Sequence, residues 1–328
     1  MEKYSQFRDR STGIAPFLPV STPLSAVSAV THSLLFFFRL PFFLTYALAY
    51  FIIFHHLPLP VVARKMALWG MMAIPGIWWV DLQLDGVRRG TLSEQPRERV
   101  PHPGSVIAAN FTSPIDAVYL AAVFDPVFTI SYPGTRKLQR VCLLGAVTMA
   151  LSPVRTAPPP NAKLVDIEDL LEEYPNRVIA VFPECGTTNG KAILPFSPAL
   201  AQCPAHVHVF PVSIRYAPSD VTTPVPGQWF KFLWNLLSRP TTCIRVRIAE
   251  SRRKDAAAAS TKSGSRTTNG AGGDPRQRKA TDVEDPEQEK QFLDRIAEAL
   301  ARLSRVKRVG LTMNDKAAFI AALNGKKS

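Results

Sequence analysis

Apolar positions change their spacing three times along the chain, and each change marks a different kind of element. Leu34 to Phe54, LLFFFRLPFFLTYALAYFIIF, is almost wholly apolar over 21 residues. As a helix that length covers the roughly 30 Å hydrocarbon core of a bilayer. Arg39 lies near its start, where its head can snorkel to the interface. A second apolar run, Met66 to Val80, follows a turn containing Pro58, Pro60, Arg64 and Lys65. Together the runs predict a membrane-embedded helical hairpin over residues 31–80. It dips into one leaflet with Trp69, Trp78 and Trp79 at headgroup depth, a two-span hairpin and buried core helices being the alternatives.

From Trp79 the period shortens to strand alternation and then alternates between strand and helix, which predicts an α/β domain over residues 81–250. Short apolar runs at Ser105 to Asn110, Phe128 to Tyr132, Arg177 to Glu184 and His206 to Tyr216 read as strands, and Thr242 to Glu250 as a late strand at a sheet edge. Helices are expected after Pro114, over Arg136 to Leu151 and over Leu164 to Tyr174. The fold class is therefore α/β, a mixed but mainly parallel sheet covered by helices and preceded by the apolar hairpin. Residues 1–30 read as a poorly ordered arm and 251–284 as a basic insertion too poor in apolar residues to fold. Helical periodicity returns over residues 285–328, with Phe292, Leu293, Ile296, Leu300 and Leu303 on one side.

Charge narrows the partners. The chain carries 39 Lys and Arg against 26 Asp and Glu, and 17 against 10 of these lie in residues 251–328. A basic balance suits nucleic acid, anionic lipid or phosphorylated substrates. There is no basic stripe interleaved with aromatics, no helix-turn-helix cue and no zinc-finger spacing, so no nucleic acid is expected as a partner. Cys142, Cys185, Cys203 and Cys243 form no C-x-x-C pair and fit reduced thiols in a cytosol-facing domain. His206-x-His208 is too little for a metal site, and no metal is expected.

Open α/β sheets place their sites beyond the carboxyl ends of strands. Three such places carry polar residues. In VIAANFTSPIDAVYL, Val106 to Leu120, a strand breaks at Asn110 and a helix starts at Pro114, with Ser113 and Asp116 spaced as a capping box. Capping alone explains both residues. In FPECGTTNG, Phe182 to Gly190, a strand ends in a turn whose N–H groups can cradle an anion, with Thr187, Asn189 and Lys191 as donors. A turn whose glycines serve only geometry is the alternative. SPVRT, Ser152 to Thr156, contributes Arg155.

The order and spacing of these stretches resemble the glycerolipid acyltransferases, the lysophosphatidic acid and glycerol-3-phosphate acyltransferase family. Asn110 and Asp116 match its Asn-His-x-x-x-x-Asp motif, but Phe111 occupies the position of the catalytic histidine. Phe182, Pro183 and Glu184 match its Phe-Pro-Glu-Gly-Thr motif, with Cys185 where glycine is usual and Gly186 where threonine is. Arg155 falls where the family places an arginine on the acceptor phosphate, and Pro211 within FPVSI matches its Val-Pro-Val-like motif. The Asn-Phe-Thr-Ser-Pro and Phe-Pro-Glu-Cys forms look most like a fungal oleoyl-CoA:lysophosphatidic acid acyltransferase branch.

The resemblance implies transfer of an acyl chain, oleoyl by preference, from acyl-CoA to the free hydroxyl of a lysophospholipid, giving phosphatidic acid from lysophosphatidic acid. Acyl-CoA is then a co-substrate, and no other cofactor is implied. Asp116 and Glu184 would organise the site, and Arg155, Thr187, Asn189 and Lys191 would hold the phosphate. The implied setting is the endoplasmic reticulum membrane or lipid droplets, with the domain facing the cytosol. Loss of the histidine leaves positioning, an Asp116 of raised pKa, or the acceptor's own phosphate to manage the proton. The competing expectation is a catalytically silent relative that binds lipid or acyl-CoA as a membrane adaptor.

Overall fold

The computed structural model describes residues 2–22, 26–54, 57–87, 91, 96–254 and 286–325. The basic insertion expected at 251–284 lies, from residue 255 on, outside the described residues. In chain order the strands are β1 Trp79–Leu84, β2 Val106–Ala109, β3 Val127–Ile130, β4 Leu138–Val141, β5 Leu164–Val165, β6 Ile179–Phe182, β7 Ala192–Ile193, β8 Val209–Ala217, β9 Cys243–Ile248 and β10 Lys307–Arg308. The helices are α1 Ala26–Ala49, α2 Val61–Ala73, α3 Pro114–Phe124, α4 Leu143–Met149, α5 Ile167–Glu173, α6 Trp229–Leu237, α7 Pro286–Ser304 and α8 Met313–Asn324.

Eight strands form one sheet in the order β1-β9-β8-β2-β6-β3-β4-β5. Its centre, β8-β2-β6-β3, is parallel throughout, which requires cover on both faces. Alternation supplies it: Ile107 and Ala109 face one cluster with α2 and α3, while Val106 and Ala108 face another with α5 and α7. The late strand β9 is not at the edge as expected, because β1 pairs with it in parallel and takes that place. The stretch Arg136 to Leu151, expected as one helix, divides into β4, which pairs antiparallel with β3, and α4. Cys142 caps α4, its Sγ accepting from Gly145 N, so sheet pairing of Leu138 to Val141 overrides a helical pattern that was only local.

The apolar hairpin is asymmetric. Ser28–Phe54 is one continuous helical stretch of 27 residues, long and apolar enough to cross a membrane, and little of it is buried. Val30, Leu34, Phe37, Phe38, Phe42, Leu48 and Ile52 point outward, whereas Phe36 and Tyr50 are buried. The second arm turns inward: Leu68, Met71 and Met72 of α2 join the domain core, and Trp69 meets Tyr119 of α3 edge-on. Arg39 does not snorkel outward. Its guanidinium donates to the carbonyls of Arg239 at 2.5 Å, Pro240 at 3.1 Å and Pro75 at 3.3 Å, pinning α1 to the loop before β9 and to the turn after α2.

Within residues 4–22, read from sequence as part of a poorly ordered arm, Tyr4, Phe7, Asp9 and Phe17 lie against residues 310–319. Tyr4 and Phe7 meet Phe319 of α8 edge-on, Phe17 is buried, and Gly310 N donates to Asp9 Oδ1 at 3.2 Å. Scattered aromatics in a Ser- and Pro-rich segment give no local period, so only the partner helix reveals their role.

Candidate active site

The site is built where β2 and β6 end side by side. Asn110 closes β2 by bonding both ways with Ile214 of β8: its Nδ2 donates to Ile214 O at 2.9 Å and its Oδ1 accepts from Ile214 N at 2.7 Å. The amide thus continues the strand ladder past its last backbone pair. Pro211 lies within β8 opposite Ala108 of β2, and its carbonyl accepts from Ala249 N.

Helix α3 then begins with the capping box read from the sequence. Asp116 is fully buried, with both oxygens engaged. Oδ2 accepts from Thr112 N at 2.6 Å, Ser113 N at 2.9 Å and Thr112 Oγ1 at 3.1 Å, and Oδ1 accepts from the Tyr216 hydroxyl. Burial pushes its pKa up to about 6 against these hydrogen bonds, so Asp116 is mainly ionised at neutral pH and anchors the turn. Tyr216 reaches it from β8, and burial raises the Tyr216 phenol well above its usual range. The sequence reading missed Tyr216, although its phase in β8 places it on the same face as Val212 and Ile214.

Phe111, at the motif position of a base, is 2% exposed. Its ring stacks on Phe182 with centroids 4.3 Å apart, and Phe182 in turn stacks on Phe128. The position therefore belongs to the apolar core under the two loops. Thr188 N donates to Phe111 O at 3.0 Å and Thr223 N to Thr112 O at 2.8 Å, so the two motif loops and the loop after β8 form one hydrogen-bonded unit.

The turn after β6 is equally buried. Pro183 accepts from Ser197 N. Glu184 is 1% exposed, its Oε2 accepting from Leu194 N at 3.2 Å, while Oε1 has no hydrogen-bond partner among the described residues. Burial raises its pKa to about 8; the Leu194 bond and the Lys316 charge pull it down and the Asp116 charge pushes it up. Cys185 takes a left-handed conformation, φ 61°, and burial pushes its thiol up to about 12. It is not a thiolate nucleophile.

Of the expected phosphate ligands, Thr187 Oγ1 donates to Thr223 O at 2.7 Å and Ala150 O at 3.2 Å. Asn189 Nδ2 donates to Ala15 O at 2.8 Å and Leu18 O at 2.9 Å, both on the N-terminal segment. Arg155 and Lys191 are exposed, in the loop after α4 and at the end of the turn. Thus Thr187 and Asn189 brace the turn from inside, and Arg155 and Lys191 offer charge at the surface. No group of three or more His, Cys, Asp or Glu suited to a metal occurs among the described residues.

Residues 92–215 match the sequence model of the family described as Acyltransferase. Over 258 residues, 76% of this chain and 84% of the relative, the chain is 24% identical to the putative lysophosphatidic acid:oleoyl-CoA acyltransferase of Schizosaccharomyces pombe. Over 203 residues, 60% of this chain and 61% of the relative, it is 26% identical to lysophosphatidic acid:oleoyl-CoA acyltransferase 1 of Saccharomyces cerevisiae.

Proposed function

We propose, from the match of residues 92–215 to the acyltransferase family model and the similarity to the two yeast relatives, that the enzyme transfers an acyl chain, oleoyl by preference, from acyl-CoA to lysophosphatidic acid. The acceptor's free hydroxyl oxygen forms the new ester bond to the thioester carbonyl carbon. The carbon–sulfur bond breaks, and CoA leaves as the thiol carrying the acceptor's proton, giving phosphatidic acid. Acyl-CoA is the co-substrate and no further cofactor takes part. The observation that carries this reading is the union of the Asn110–Asp116 and Phe182–Gly190 loops through the Thr188 to Phe111 hydrogen bond, at the carboxyl ends of two adjacent parallel strands.

The chemistry relies on positioning. A thioester is already activated, and orienting two bound reactants is worth effective molarities of about 10⁵ to 10⁸ M, against about 10² to 10⁴ fold for a general base. With Phe111 apolar and both oxygens of Asp116 engaged, these residues shape the site, and the acceptor's own phosphate takes the proton. Glu184 and Thr187 hold the turn, while Arg155 and Lys191 meet the phosphate as it enters. The outward apolar face of α1 seats the enzyme on the cytosolic side of the endoplasmic reticulum or a lipid droplet, where its lipid acceptor is dissolved.

The test is transfer of labelled oleate from oleoyl-CoA to lysophosphatidic acid by purified full-length protein in mixed micelles. Turnover is expected, with Lys191→Ala raising KM for lysophosphatidic acid by about tenfold, the worth of one charge-assisted contact of roughly 1.5 kcal/mol. Phe111 favours the alternative of a silent lipid-binding relative. Lipid binding with no turnover on any lyso-acceptor would establish that alternative.

A further inference from the structure

Helix α8 lies outside the acyltransferase match, yet it docks onto the turn after β6. It starts with its own capping box, Thr312 N and Oγ1 donating to Asp315 Oδ2 at 2.7 and 2.8 Å. Met313, Lys316 and Phe319 form its buried face. Lys316 is 3% exposed, and its Nζ donates to Thr187 O at 2.6 Å and to Thr187 Oγ1 at 3.1 Å. The two hydrogen bonds use two of the three ammonium donors, and Glu184, whose Oε1 has no partner among the described residues, lies near enough that a charge on either group favours the charged form of the other against the burial that disfavours both.

The same docking brings α8 against Gly186, the last position of the Phe-Pro-Glu-Gly-Thr motif. A Cβ on Gly186 would lie 2.8 Å from Met313 Sδ and 3.7 Å from Lys316 Nζ. A larger side chain at this position would require the Met313 thioether to move. A buried ammonium is costly unless paired, and this one lies against the turn that resembles a phosphate cradle. The amide of Asn189 is engaged by the N-terminal segment, and Lys191 is at the surface. Lys316 is the buried basic group at the turn, its ammonium form donating to Thr187 and burial lowering its pKa to about 7.

We propose that Lys316 is a positioning residue of the acceptor site, holding the Cys185–Asn189 turn in its phosphate-binding shape and fixing the positive potential there. The assignment of that turn to the acceptor phosphate rests on the function proposed above. Lys316→Met is expected to raise KM for lysophosphatidic acid about tenfold or more while KM for oleoyl-CoA stays within about twofold. The same variant leaves Glu184 without its cation and lowers the thermal midpoint. The double variant Glu184→Gln/Lys316→Met leaves no buried charge without its partner ion, and it is expected to regain the midpoint but not the KM.

A double variant that regains both, or a single variant that raises both KM values alike, would make the pair a structural staple and overturn the proposal. Equilibrium binding of lysophosphatidic acid in detergent separates the two readings. Binding that weakens with Lys316→Met in a protein without turnover would retire the proposed reaction and keep Lys316. Turnover indifferent to Lys316→Met would do the reverse.

Discussion

Cys185 shows how little residue identity says without its surroundings. A thiol next to a motif invites a nucleophilic reading, but burial pushes it up to about 12 and Ser131 Oγ lies 3.5 Å from its sulfur. In native protein, iodoacetamide should alkylate the exposed Cys142 first, and the buried Cys185 and Cys203 only after denaturation, as peptide mapping by mass spectrometry will show. Glu184 offers a second test at this scale. Its folded pKa is raised from 4.5 to about 8, so the folded state binds the proton more tightly than the unfolded chain. Its share of stability is present below about pH 4.5 and is lost as pH rises towards 8. Asp116, raised to about 6, acts in the same direction between about pH 4 and 6. Lys316, lowered to about 7, acts oppositely, and stability recovers as pH climbs from 7 towards its unfolded value of 10.5. The thermal midpoint should fall between pH 5 and pH 8, and Glu184→Gln should flatten the part of that slope above pH 6.

Among the elements, α1 and α2 look alike as apolar runs and behave differently. In α2 one face, Leu68, Met71 and Met72, is covered by α3 and the sheet while Val62 and Met66 stay exposed, and α1 leaves Phe37 and Phe38 70% and 67% exposed. Exposure on this scale marks a lipid or partner face. Phe37→Glu/Phe38→Glu should lose most of its recovery with liposomes in a flotation assay and keep its thermal midpoint in detergent. Equal flotation of variant and wild type would remove α1 as the membrane contact. Helix α6 extends this face, because Phe36 of α1 packs on Phe230 and Trp234, and Phe230 is itself 71% exposed.

At the scale of the whole molecule, the two ends of the chain close over the candidate site. Asn189 is held by carbonyls of residues 15 and 18, Thr187 by the ammonium of residue 316, and Phe17 and Phe319 lie together between them. The motif-bearing domain is thus one part of a larger closed unit, and the turn after β6 depends on contacts more than a hundred residues away.

Local pattern was sufficient for the α/β class, the strand–turn–helix at Asn110 to Asp116, the apolar character of α1 and the helices after residue 285, because each rests on periodicity or capping within a few residues. Fold class was legible for that reason, and the resemblance to the acyltransferases rested on the motif residues at Asn110–Asp116 and Phe182–Glu184. Only the tertiary structure decided that one face of α2 is core, that Arg39 points inward, that Arg136 to Leu151 is a strand followed by a helix, and that Asp116 is sealed by Tyr216. It alone brought Lys316 to Thr187. Each of these turns on desolvation and on partners distant in sequence, and burial energies depend on what surrounds a residue rather than on its neighbours along the chain.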